Sequence, residues 1–139
     1  MGLFLYLIYN DMTRINSGIN PKQLSQKHLI AEHREIIRIP NTISSGKAVV
    51  KDIPDDFRLG SGHVKFFYDK LFYLLKRYNA IYQEGISRGY NLTNFSECWD
   101  HVPKELMNDW KPTQNACDLI RERIYQRGGY FVNDDPFII

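Results

Sequence analysis

The sequence predicts a mainly α fold: a single compact domain of three helices with long irregular connections. Three observations predict it. Asn20-Pro21 precedes a run with helical spacing, residues 63–88 are dense in Leu, Phe and Tyr, and a third helical segment over 113–126 stops at Gly128-Gly129.

The first element starts with Asn20 as N-cap and Pro21 at the first helical position. Residues 22–39 continue as helix until Pro40 stops them. Leu24, His28, Ala31 and Glu35 share one face at i, i+4, i+7 and i+11 spacing, and Lys27, Ala31, Arg34 and Arg38 form the adjoining stripe. This face carries charge where a packed helix places leucine. Leu29, Ile30, Ile36 and Ile37 supply the buried side.

Residues 40–60 read as loop, with turns at Ser44-Ser45-Gly46-Lys47 and Pro54-Asp55-Asp56. Gly60-Ser61-Gly62 then opens a long central helix over about 63–88. Phe66, Phe67, Leu71, Leu74, Leu75, Tyr78 and Ile81 make it the core helix, and Gly89 is its C′ residue. Residues 91–112 are irregular, broken by Pro103 and Pro112. The apolar tail from Tyr130 packs back on the body.

The domain spans 12–139, and residues 1–11 form an extension. The apolar run 2–10 lacks a basic region and a small-residue cleavage site, so it is a poor signal peptide, and it is too short to span a bilayer. Three readings fit it: a start codon set upstream of Met12, an extra strand, or a membrane-touching anchor. The first is preferred, because residues from Thr13 onward read as a complete protein.

A chain of 139 residues with 14% aromatics can bury one modest core, and its composition is not that of a disordered chain. Net charge is only +2, but residues 12–80 hold twelve Lys/Arg against six Asp/Glu, leaving six against ten elsewhere. A basic half suggests a face for a polyanion; the plainer alternative is solvated surface charge. Cys98 and Cys117 form no C-x-x-C pair and read as free thiols. No metal site is expected, since His28, Glu32 and His33 lack H-E-x-x-H spacing, and no cofactor is expected either. Gly60-Ser61-Gly62 lacks the phosphate-loop frame and reads as a flexible helix entry, and His63 after it reads as a capping or structural histidine.

Two features point to chemistry. Met12-Thr13 suits removal of the initiator Met, which exposes the Thr13 α-amine. That amine has an ordinary pKa of about 7.7–8.0, so part of it is neutral and nucleophilic near pH 7. Glu35, between Arg34 and Arg38, reads either as half of a surface ion pair or as a carboxylate held ionised by cations and facing a positively charged intermediate.

Several ordered blocks carry a resemblance. They are Met12-Thr13-Arg14-Ile15-Asn16; His28-Leu29, Ala31-Glu32 and Arg34-Glu35 with Arg38; Gly46-Lys47; Leu59-Gly60-Ser61-Gly62-His63-Val64; Phe66-Phe67-Tyr68-Asp69-Lys70-Leu71; and Arg88-Gly89-Tyr90-Asn91. From Met12 to about 127 the chain resembles the pyrimidine-dimer DNA glycosylase/AP lyase family, of the T-even phage endonuclease V type. The resemblance implies that the Thr13 α-amine attacks C1′ of the 5′ sugar of a cyclobutane pyrimidine dimer and forms an imine. It implies that Glu35 stabilises the cation and assists β-elimination, which cuts the strand. Arg14, Arg34 and Arg38 are implied to hold phosphates, His28 to support that surface, and Lys47 to touch the backbone. Arg123 or Arg127 replaces a family lysine. Double-stranded DNA carrying UV photoproducts or abasic sites is the implied partner, acted on by a monomer, without a membrane, in the cytoplasm of a bacterial or phage-infected cell.

The chain departs from the family in having the extension 1–11, one extra residue between Thr13 and His28, and Lys27 before His28. Its tail is reduced to Tyr130-Phe131 followed by two aspartates. Two other readings stay open: a noncatalytic DNA-binding module of the same fold with its amine blocked by the extension, and a structural or interaction protein with a membrane-touching N-terminus.

Overall fold

Asn20 accepts a hydrogen bond from the Lys22 N–H through its side chain (3.0 Å), and with Pro21 behind it the chain begins a helical turn. A computed structural model describes residues 13–132; the extension 1–11 and the tail beyond Val132 lie outside them. The turn at Pro21–Gln23 is a single turn of 3₁₀ helix, and the predicted first helix is divided there. Ser25 starts a second helix, α1 (Gln26–Ile36), by capping the His28 N–H.

Pro40 does not stop a helix. It lies inside α2 (Arg38–Ser44), within the first turn, where a backbone N–H has no intrahelical partner to lose. The break falls earlier, at Ile37, which closes α1 and opens α2.

The predicted helix over 63–88 is also two helices, α3 (His63–Phe66) and α4 (Leu71–Ser87). Phe66, Phe67 and Tyr68 are all buried. Three consecutive side chains span about 200° of a helix surface, so a straight helix would leave at least one exposed. The chain turns instead, and the Lys70 ammonium donates to the Phe66 carbonyl (3.0 Å) at the corner. Gly89, at φ +85°, is the left-handed residue after α4, as predicted. Residues 91–112 hold single 3₁₀ turns at Ser96–Trp99 and Lys104–Leu106. Finally α5 (Gln114–Gln126) is capped by Thr113, whose hydroxyl accepts from Ala116 (3.1 Å).

The fold is mainly α, as predicted, and no strand forms among the described residues. Its three longest helices are α1, α4 and α5. Two apolar clusters make the core. Ile15, Ile36, Ile39, Phe66, Phe67, Leu71, Leu74, Tyr78 and Trp99 form the larger. Ile19, Leu24, Leu29, Ile81, Ile120, Ile124 and Phe131 form the other. Helix α4 supplies side chains to both, so it ties α5 to the rest of the body. Phe131 bridges back to Leu24, and the Val132 N–H donates to the Gln23 carbonyl (2.8 Å), which docks the described part of the tail. No described helix is long and apolar enough to cross a membrane.

Candidate active site

The segment from Thr13 to Ile19 is not helical, so its backbone N–H groups need partners from elsewhere. They find side chains. The Arg14 N–H donates to Glu35 Oε1 (3.1 Å), and the Ile15 N–H to His63 Nε2 (3.0 Å). The next residue, Asn16, donates its side-chain amide to Glu32 Oε1 (2.8 Å). Ile15 and Ile19 are fully buried, so they pin the segment to the two core clusters, and Thr13 is only 2% exposed.

Helix α1 presents the acidic groups. Glu32 and Glu35 lie three residues apart and therefore on one face. Glu32 is buried and paired with Arg77 of α4: Arg77 Nε donates to Oε2 (2.5 Å) and Nη2 to Oε1 (3.0 Å). The remaining guanidinium nitrogen, Nη1, donates to the Ile19 carbonyl (2.7 Å). Glu35 is left for the cavity. Its contact with the exposed Arg34 is loose, at 3.7 Å.

Two adjoining cavities meet here. One, of about 370 Å³, is lined by Thr13, Arg14, His63, Arg123 and Arg127. The other, of about 500 Å³, is lined by Arg14, His28, Arg34, Glu35, Arg123 and Arg127, with the exposed Tyr130 at its rim. Arg14, Arg123 and Arg127 belong to both.

The electrostatics follow from this crowding. Burial raises the Glu35 pKa above its ordinary value and outweighs the opposing pull of the Arg14 N–H and of Arg38, Arg34 and Arg14. The neighbouring cations expected to hold Glu35 ionised do favour its charged form, but only partly offset its burial. Burial, with like charge from Arg14 and Arg127, lowers Arg123 to about 10. Its Nη2 is buried without a hydrogen-bond partner among the described residues. Burial lowers His63 to about 4, so its imidazole is neutral at pH 7. His63 Nδ1–H donates to the Arg58 carbonyl (2.8 Å), which leaves Nε2 as the acceptor for Ile15. Its reading as a structural histidine fits this arrangement. His28 is lowered by burial and by Lys27 and Arg14; its Nδ1 lies 2.9 Å from the Ser25 hydroxyl. Gly129 passes so close that a Cβ there would sit 2.8 Å from His28 Cε1.

Thr13, Arg14, His28, Arg34, Glu35 and Arg123 are thus brought together around the two cavities. Arg38 opens α2 and acts on Glu35 through its charge. Lys47 is exposed beyond the end of α2 and lines neither cavity. Sequence reasoning missed the Glu32–Arg77 pair and the Asn16 contact. The available signal was Arg77 itself, a cation between Leu74, Tyr78 and Ile81 on the apolar face of α4.

A family profile for pyrimidine dimer DNA glycosylases matches residues 12–97, more than half of the chain. The match begins at Met12 and takes in Thr13, Arg14, Glu32, Glu35, His63 and Arg77; Arg123 and Arg127 lie beyond it. The chain belongs to the pyrimidine dimer DNA glycosylase family, and its substrate is DNA.

Proposed function

We propose that this glycosylase works through the Thr13 α-amine, exposed by translation from Met12 and removal of that methionine, and that it also cuts the strand as an AP lyase. The single observation that carries this reading is the 3.1 Å hydrogen bond from the Arg14 N–H to Glu35. It sets the Glu35 carboxylate a residue away from the Thr13 nitrogen. The family match starting at Met12 supports the same start.

The neutral amine attacks C1′ of the 5′ sugar of a pyrimidine dimer. The N–C1′ bond forms as the glycosidic bond breaks, and the electron pair leaves with the base. Opening of the C1′–O4′ bond gives an iminium. The iminium withdraws electrons, a base removes a C2′ proton, and the C3′–O bond breaks with the phosphate as leaving group. Glu35 suits the proton transfers and the stabilisation of the cation. Arg14, Arg123 and Arg127 repel a protonated amine, which favours the reactive neutral form. The same guanidinium groups, with Arg34 and Arg38, suit bidentate contacts to phosphates around the lesion, while His28 and Lys47 add to the DNA face. Reaching the sugar requires distorting the duplex, a cost of about a few kcal/mol that is least at damaged sites. The enzyme acts as a monomer, on UV photoproducts or abasic sites.

The burial of Thr13 favours a second reading, a noncatalytic DNA-binding module whose amine is blocked. One experiment separates the two. Protein started at Thr13 and protein retaining residues 1–12 are each incubated with UV-irradiated duplex. Nicking by the first and not the second supports the enzyme. Binding without nicking by both supports the module.

A further inference from the structure

Three consecutive residues behind Thr13 are tied to three different side chains: Arg14 to Glu35, Ile15 to His63 and Asn16 to Glu32. Only the first of these faces the chemistry. The Glu32–Arg77 pair is bidentate without Asn16, so the ion pair is satisfied before Asn16 adds its bond. Arg77 also holds the Ile19 carbonyl, so both ends of the 16–19 segment hang from one buried pair. Glu32 and Glu35 project from the same face of α1, one turn apart. The helix therefore acts as a ruler, with one carboxylate anchoring the segment at Asn16 and the other accepting from the Arg14 N–H. On the far side His63 is locked by its bond to Arg58 and by edge contacts with Phe57 and Phe67, so its Nε2 is a fixed acceptor.

We propose that Asn16 and His63 are positioning residues that clamp the N-terminal segment and set the Thr13 nitrogen against Glu35. This inference rests on the amine chemistry proposed above. It carries weight because a misplacement of about 1 Å at a reacting group costs roughly 100-fold in rate.

The test uses protein expressed from Met12, the form that chemistry requires, with a duplex carrying one abasic site. Single-turnover cutting at saturating DNA, Kd for the same duplex and the thermal midpoint are measured for wild type, Asn16→Ala, His63→Gln and His63→Phe. Asn16→Ala is expected to cut roughly 10- to 100-fold more slowly, with Kd within about twofold of wild type, at temperatures well below its melting midpoint. His63→Gln, whose amide oxygen can accept from Ile15, is expected to keep more of the rate than His63→Phe. An Asn16→Ala variant that melts earlier but cuts at the wild-type rate overturns the clamp and leaves a purely structural contact. A loss confined to Kd, or equal rates for the two His63 variants, also overturns it. The His63 pair decides the matter if Asn16→Ala does not fold. Borohydride trapping of wild type on the same DNA separates the two levels. A wild type that does not trap overturns the amine reading and this inference with it. A wild type that traps, beside an Asn16→Ala variant that traps equally fast, overturns the clamp alone.

Discussion

Glu35 is held in a site that costs the fold stability. Burial raises its pKa, so its ionised form is less favourable in the native state than in the unfolded chain. Stability from this group is therefore present at low pH and lost as pH rises through the raised value. Glu35→Gln removes that cost. Its thermal midpoint at pH 7 is expected to equal or exceed wild type, its DNA binding to persist, and its strand cutting to fall by roughly 10²- to 10⁴-fold. Cutting at the wild-type rate would remove Glu35 from the chemistry. His63 has the opposite sign. It titrates near 6.5 when unfolded and at about 4 when folded, so the native state binds fewer protons between these values. Stability is present above pH 6.5 and is lost as pH falls toward 4, by on the order of 3 kcal/mol. His28 and His33, both lowered by burial, act in the same direction. Thermal midpoints measured from pH 7 to pH 4 should fall less steeply in His63→Gln than in wild type. Glu35 and the arginines were legible in the sequence as a charged face. The partners of Ile15 and Asn16 were not, because hydrogen bonds across 48 and 16 residues leave no local spacing to read.

At the scale of the element, the departures from expectation have physical causes. The break between α3 and α4 was hidden because residues 63–88 hold apolar side chains dense enough to suit one long helix. Only the burial of three consecutive aromatics, Phe66, Phe67 and Tyr68, forces the turn. Pro40 was misread because proline opens a helix as readily as it ends one, and local sequence does not say which. Helix α5 was legible over 113–126; Thr113 proves to be its cap and not its first helical residue. The pairing of α1 with α4 through Glu32 and Arg77 has a measurable consequence. Arg77→Met leaves the buried Glu32 carboxylate without its cation and is expected to cost about 3–5 kcal/mol in denaturant unfolding. A cost below about 1 kcal/mol would mean that the pair does not hold the two helices together. Against the usual total of about 5–15 kcal/mol, the expected loss is large enough to unfold much of the protein near 37 °C.

For the whole molecule, the fold brings distant parts of the chain to one place. Thr13, Glu35 and His63 fall within the family match, whereas Arg123 of α5 and Arg127 just after that helix lie beyond it. α5 reaches the cavity because Ile120 and Ile124 pack with Ile81 of α4 in the smaller core cluster. The sequence offered Arg123 and Arg127 as alternatives for one role; folding places both at both cavities. The excess of basic residues over 12–80 takes in Arg14 and Arg34 at the cavities, but did not separate them from Lys47, which lines neither cavity. The most direct test of the chemistry proposed for this site is borohydride reduction of protein started at Thr13 on abasic-site duplex, followed by mass spectrometry of the digested adduct. A reduced sugar on the α-nitrogen of Thr13 is the result expected. An adduct on a lysine side chain, or no adduct while the strand is still cut, would contradict it.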